Sequence, residues 1–146
     1  MLLVNILTEE VVETLFSHPE VDIDFAITHP ETDAVIGVGF TDDFRREQYF
    51  DKDFRPLQRG LEKALPGQVV SITNKARDAA LYLIHAESDT DPGQYFLYNR
   101  DTKRLDYFAE ARAEIDPQKS APTKRVNIPT SDGAIIPGYL TLPRNG

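Results

Sequence analysis

Three histidines, five serines and no cysteine are what this 146-residue chain offers for nucleophilic or metal chemistry. Ser17 and His18 pair a hydroxyl with an imidazole, the combination a serine nucleophile and its base need in space. Sequence neighbours on a turn point their side chains apart, however. None of Ser17, Ser71, Ser88, Ser120 and Ser131 lies in a G-x-S-x-G elbow. His29 precedes a proline in a turn and is expected to be solvated, whereas His85 falls in a strand over 79–86 and reads as a structural histidine. No two histidines share the H-x-x-x-H spacing of a zinc helix. Ser88-Asp89-Thr90-Asp91-Pro92-Gly93 has the opening of a calcium loop but lacks the later ligands and the closing glutamate. A hairpin loop is expected there. The 24 acidic residues form many possible carboxylate pairs, and nothing in their spacing selects one for glycoside-type hydrolysis. There is no glycine-rich phosphate loop. The expected catalytic, cofactor-binding and metal-ligating sets are therefore all empty.

Composition narrows the partners. A net charge of −8, from 24 acids against 16 bases, leaves no basic face for phosphates, which argues against nucleic acid and anionic membrane. The acids are scattered and serve solubility. Absence of cysteine suits a reducing compartment, and Met1 to Leu7 carries neither a basic leader nor a small-residue cleavage site. No apolar run approaches the roughly 20 residues of a membrane span. The expectation is a soluble, cytoplasmic protein.

The elements that would position any site are mostly strands. Residues 2–7 are apolar except Asn5, which predicts a strand buried on both faces. Val11 to Phe16 would return beside it as a hairpin. Ser17-His18-Pro19-Glu20 is punctuation. Ile23, Phe25 and Ile27 alternate with Asp22, Asp24 and Ala26, the period of a half-buried strand. His29 to Asp33 turns, and Ala34 to Phe40 is an apolar run whose Gly37 and Gly39 predict close backbone approach. Thr41-Asp42-Asp43 turns again ahead of a third strand, Glu47 to Phe50.

Over 53–65 the period changes. Phe54, Leu57, Leu61, Ala64 and Leu65 fall on one face of a helix, with Asp53 as its N-cap, Pro56 in the first turn and Gly67 past its end. Val69 to Thr73, Ala79 to Ala86, Gln94 to Asn99 and Leu105 to Ala109 then predict four antiparallel strands joined by short turns. Residues 111–122 are poor in large apolar side chains and read as a linker, with a helical turn from Asp116-Pro117. Lys124 to Thr130 and Ala134 to Leu142 form a last hairpin about Ser131-Asp132-Gly133, and Pro129 and Pro137 belong at its edges.

One pattern is written twice. Ile27-Thr28 and Ile72-Thr73 stand 45 residues apart, as do Asp33-Ala34 and Asp78-Ala79, and Gln48-Tyr49-Phe50 matches Gln94-Tyr95-Phe96 one residue wider. A repeat of about 45 residues, rich in β-branched and aromatic side chains, suits a four-stranded propeller blade. The fold expected is mainly β: antiparallel, blade-like four-stranded sheets (about two blades), one helix near 53–65 and a C-terminal hairpin.

Asp89 to Arg100 (DTDPGQYFLYNR) resembles the last propeller blade of prolyl-oligopeptidase-family serine peptidases, closest to their dipeptidyl-aminopeptidase and acylaminoacyl-peptidase branch. Ile115-Asp116-Pro117, Ala121-Pro122, Ser131-Asp132-Gly133 and Ile136 to Pro143 resemble that family's crossing from propeller to α/β-hydrolase domain. The helix bearing Leu57, Leu61 and Leu65 is similar to one found late in these propellers. The resemblance implies a partial propeller over 1–110, a linker over 111–123 and the opening hairpin of a hydrolase domain over 124–146. The family's catalytic serine, aspartate and histidine have no counterpart among these residues, so an inactive piece of a peptidase is expected. In such a parent the propeller restricts access to short peptides. The alternative is a free-standing β-rich interaction module. Blades cut from a ring expose strand edges, so self-association through those edges is expected, with no cofactor.

Overall fold

The computed structural model describes residues 1–77 and 80–144. Asp78-Ala79, which the repeat uses, and Asn145-Gly146 lie outside the described residues. Two compact units divide the chain, Met1–Asn74 and Lys75–Gly146.

The first unit opens with a hairpin of β1 (Leu2–Val4) and β2 (Val11–Thr14), paired antiparallel with a bulge beside Val4. The expectation that residues 2–7 are buried on both faces fails. β1 stops at Val4, because the Asn5 side chain accepts the amides of Leu7 (2.9 Å) and Thr8 (3.3 Å) and closes a turn. Ile6 and Leu7 are consequently 92% and 90% exposed, and both strands lie open to solvent.

Next come β3 (Ile23–Thr28), β4 (Val35–Thr41) and β5 (Arg45–Tyr49), an antiparallel sheet in chain order. β3 alternates half-buried and exposed residues as its period requires. β4 is the middle strand, and Ile36 to Phe40 are buried without interruption. The two glycines of β4 do stand at close approaches. A Cβ on Gly37 would lie 2.6 Å from the Gln48 carbonyl oxygen, and one on Gly39 would lie 2.0 Å from the Phe25 ring. Arg45 places its guanidinium 4.7 Å from the centre of that same ring.

Helix α1 (Phe54–Ala64) follows, buried at Phe54, Gln58 and Leu61, with Leu57 and Leu65 half-buried and Ala64 exposed. Its capping differs from expectation. Asp53 occupies the N-cap position without a side-chain cap bond. Asp51 instead accepts the amides of Asp53 (2.7 Å) and Phe54 (3.1 Å). The bond from the Asp53 amide holds the Asp51 carboxyl below its ordinary 3.8; burial opposes this, and the Phe54 amide adds to it. A lowered folded value means stability that is complete above the unfolded value and lost as pH falls through the folded one. Asp51→Ala should therefore cost about 0.5–2 kcal/mol at neutral pH, with the difference shrinking below pH 3.8. Paired urea titrations at pH 7 and pH 3 check this; an equal difference at both would contradict it.

β6 (Val69–Lys75), β7 (Leu81–Glu87), β8 (Gln94–Asn99) and β9 (Arg104–Glu110) make a four-stranded sheet in chain order. β7 buries Tyr82, Ile84 and Ala86 on one face, and they pair with Tyr98, Phe96 and Gln94 of β8. A short 3-10 helix, Pro117–Lys119, starts where Asp116 accepts the Gln118 amide, as Asp116-Pro117 suggested. The chain then forms a hairpin of β10 (Thr123–Pro129) and β11 (Ile135–Thr141) around Gly133, whose φ is +87°. The protein is mainly β, and among the described residues it has antiparallel sheets of two, three and four strands and one α-helix. Among the described residues no helix is long and apolar enough to cross a membrane.

Candidate functional site

The three histidines are anchored in the fold. His18 accepts the amides of Glu20 (3.2 Å) and Val21 (3.3 Å) at Nδ1, and its ring packs 5.1 Å from that of Phe40. With Nδ1 committed to backbone donors, that nitrogen cannot take a proton from Ser17. His29 does the same for the Glu31 amide (3.2 Å) and meets Phe54 edge-on at 5.6 Å. It is half-buried rather than solvated, because its ring covers the first turn of α1. His85 lies 4.9 Å from the Tyr95 ring across the β7–β8 ladder, as expected of a structural histidine.

His85 also forms one wall of a polar cluster in the second unit, the β7–β8 loop over 88–93. Gly93 has φ +118°, and a Cβ there would stand 2.2 Å from His85 Nε2. Glycine is required at that position twice over, by conformation and by space. The loop's own donors fill its acceptors. Ser88 Oγ accepts the amides of Thr90 (3.3 Å) and Asp91 (3.0 Å), while Asp91 accepts the Gly93 amide (2.9 Å) and Gln94 Nε2 (3.1 Å). Asp89 reaches out of the loop to accept the Thr123 amide at 2.7 Å. The Gly93 carbonyl in turn accepts the Ala111 amide at 2.8 Å. These carboxylates bond backbone and an amide side chain, so the sequence's likeness to a calcium loop goes no further than its first residues. Among the described residues no group of three His, Cys, Asp or Glu side chains is placed to hold a metal ion.

A second polar group lies in the first unit and was not read from the sequence. Glu47 is a carboxylate whose side chain is only 7% exposed. The Tyr49 hydroxyl donates to it at 3.0 Å, and Arg45 Nη2 stands 3.8 Å away. Tyr49 is itself buried and stacks on Phe54 at 5.5 Å. Burial first, and then the charge and hydrogen bond of Glu47, push the Tyr49 hydroxyl well above its ordinary value. It remains a donor at any physiological pH and cannot serve as a base. Tyr49→Phe leaves a buried carboxylate short of a donor and should cost about 1–3 kcal/mol. Urea unfolding followed by circular dichroism measures this, and a loss below a few tenths would show that water replaces the hydroxyl.

Gln58 was missed as well. It is 5% exposed, and its Nε2 donates to the Val70 carbonyl (2.8 Å) and to Glu62 (3.1 Å). Its place between Phe54 and Leu61 on the helix stripe is the signal that could have found it.

These interactions serve capping, loop closure and strand spacing. No family model matches the chain, and no curated protein matches it.

Proposed function

We propose that the chain is a non-catalytic β-scaffold of a prolyl-oligopeptidase-like serine peptidase acting on short peptides. In that setting its sheets gate substrate access and pack against a hydrolase domain that carries the triad. The observation that supports this most directly is the order of elements. A three-stranded antiparallel sheet, a helix, a four-stranded meander holding Gln94–Asn99, a short 3-10 turn and an Asp-Gly hairpin follow one another. The helix, the meander and the Asp-Gly hairpin in that order support the late helix, last blade and opening hydrolase hairpin that the resemblance implies. Structural use of every histidine fits a chain whose chemistry is supplied elsewhere. A cytoplasmic setting belongs to the same reading.

Aminoacyl and peptidyl p-nitroanilides test it on the purified chain. The expected result is no turnover sensitive to a serine-directed inhibitor, and such turnover would sink the scaffold reading. Reading the coding sequence beyond Gly146 gives the positive test. A G-x-S-x-G elbow within roughly 100–200 residues, one domain length, is expected there. A second reading, a β-rich interaction module, is favoured by the exposed apolar hairpins β1–β2 and β10–β11. A stop codon at that point and a stable folded chain would support it instead.

A further inference from the structure

The bases of this chain are not spread as its acids are. Residues 1–44 hold none, and six of the 16 fall between Arg45 and Lys63. Three of those six, Arg55, Arg59 and Lys63, stand at i, i+4 and i+8 on α1 and so form one row along the helix. All three are exposed, on the side away from the buried Phe54, Gln58 and Leu61. The row weakens the helix that carries it. Arg55–Arg59 and Arg59–Lys63 are like-charge neighbours one turn apart. Arg55 also lies in the first turn, where the helix dipole favours an acid and none is present. Glu62, the sole acid of α1, accepts the Gln58 side chain at 3.1 Å. Among the described residues neither Arg59 nor Lys63 has an ion-pair partner. Arg55 is already held in place, its Nε donating to the Tyr49 carbonyl at 3.1 Å.

Gly60 is a second anomaly on the same exposed surface. Glycine is the poorest helix former after proline, and nothing lies within 4 Å of the Cβ it lacks. No contact within this chain requires glycine there. What it preserves is room for another backbone to approach the helix beside the basic row.

Charge selects the occupant. A second copy brings the same net −8, and its α1 would set row against row. A long polyanion fares no better. The row spans only about 12 Å, and the unit around it, Met1–Asn74, carries 14 acids against six bases. A polyanion running past the row therefore meets a field of its own sign. A short run of carboxylates at the row's own spacing meets the cations alone. We infer that the exposed face of α1 docks a helix of another protein, one whose carboxylates repeat at i, i+4 and i+8 on a body that is otherwise neutral or basic. Its carboxylates pair with Arg55, Arg59 and Lys63, and Gly60 admits its backbone. This does not depend on the peptidase reading.

Fluorescence anisotropy tests the inference, with the full chain titrated into a labelled alanine-rich peptide. The peptide carries three glutamates at that spacing and has about 18 residues, enough to be helical alone. Saturable binding is expected, weakening as salt is raised to about 0.15 M. Arg59→Glu should weaken it about tenfold with unchanged circular dichroism, and adding Lys63→Glu should weaken it further. A peptide with lysines in place of the glutamates should bind that double variant and not the parent chain. Gly60→Gln should raise the thermal midpoint, since glutamine is the better helix former, and still weaken binding about tenfold by blocking the approach. No saturable binding, binding that Arg59→Glu or Gly60→Gln leaves unchanged, or a DNA duplex bound as tightly as the peptide overturns the inference. So does a sedimenting mass that rises with concentration in the parent and not in the double variant, because the row then serves a second copy.

Discussion

Ile84→Ala is expected to remove about 2–5 kcal/mol of stability, the range for deleting a large aliphatic side chain from a closed core. Ile84 is fully buried at the centre of β7, an inner strand of the four-stranded sheet, flanked on its face by Tyr82 and Ala86. Phe96 stands directly across from it and meets Tyr107 edge-on at 6.1 Å. Rings of that size cannot rotate into the vacated space without abandoning their own contacts, so the cavity persists and the upper half of the range is expected. A small domain has only about 5–15 kcal/mol in all, so this one change should remove a large fraction of the stability of the unit that holds it. Ile84→Val, which deletes a single methyl, should cost about 0.5–1.5 kcal/mol. Urea midpoints followed by tyrosine fluorescence give both values. A loss below about 1 kcal/mol for alanine would mean that the sheet collapses onto the gap.

The second large effect comes from adding an atom. Gly37→Ala sets a methyl 2.6 Å from the Gln48 carbonyl oxygen and 3.1 Å from Tyr49 Cα. Both obstacles are β5 backbone, so no rotamer change relieves them, and β4 and β5 must move apart. Overpacking of this kind costs about 1–3 kcal/mol. The upper end applies here, because the same shift disturbs Tyr49 and its hydroxyl bond to Glu47. Gly39→Ala is the instructive comparison. Its methyl would come closer to its neighbour, 2.0 Å, but that neighbour is the Phe25 ring, which can swing off the strand. We expect the smaller loss at Gly39, confined to the packing of Phe25 and its contact with Arg45. Alanine in place of glycine also gains about 0.4–1 kcal/mol by restricting the unfolded chain where the native backbone accepts it. A Gly37→Ala variant as stable as the parent would therefore show that the strands part at little cost.

Much of the fold was legible because two periods carry it. Alternation at Ile23, Phe25 and Ile27 returned as a strand with alternating burial, and the stripe at Phe54, Leu57 and Leu61 returned as a helix within a residue at each end. Gly37 and Gly39 announced close approach, since an apolar strand has no other use for two glycines. The failures have a common physical origin. An apolar run states a preference for burial without naming what will cover it, and so Leu2 to Leu7 could not be read correctly. Capping follows backbone geometry, so an offset of two residues moved the role from Asp53 to Asp51. The Glu47–Tyr49 pair joins alternate residues on one face of β5, and no residue-type rule separates such a pair from two residues facing solvent. His18 and His29 were harder still, because Nδ1 of each accepts amides of its own turn.

The loop over 88–93 holds two distant points of the chain. Its Gly93 carbonyl takes the amide of Ala111, and its Asp89 carboxylate takes that of Thr123. The residues between those points are thus an excursion that leaves and rejoins the same short segment. Extending a loop whose ends are already fixed costs only about 0.6 kcal/mol per doubling of its length. Length between Ala111 and Thr123 is accordingly a free variable, the place where this scaffold can accept new sequence, a reporter or a whole domain without moving the strands on either side.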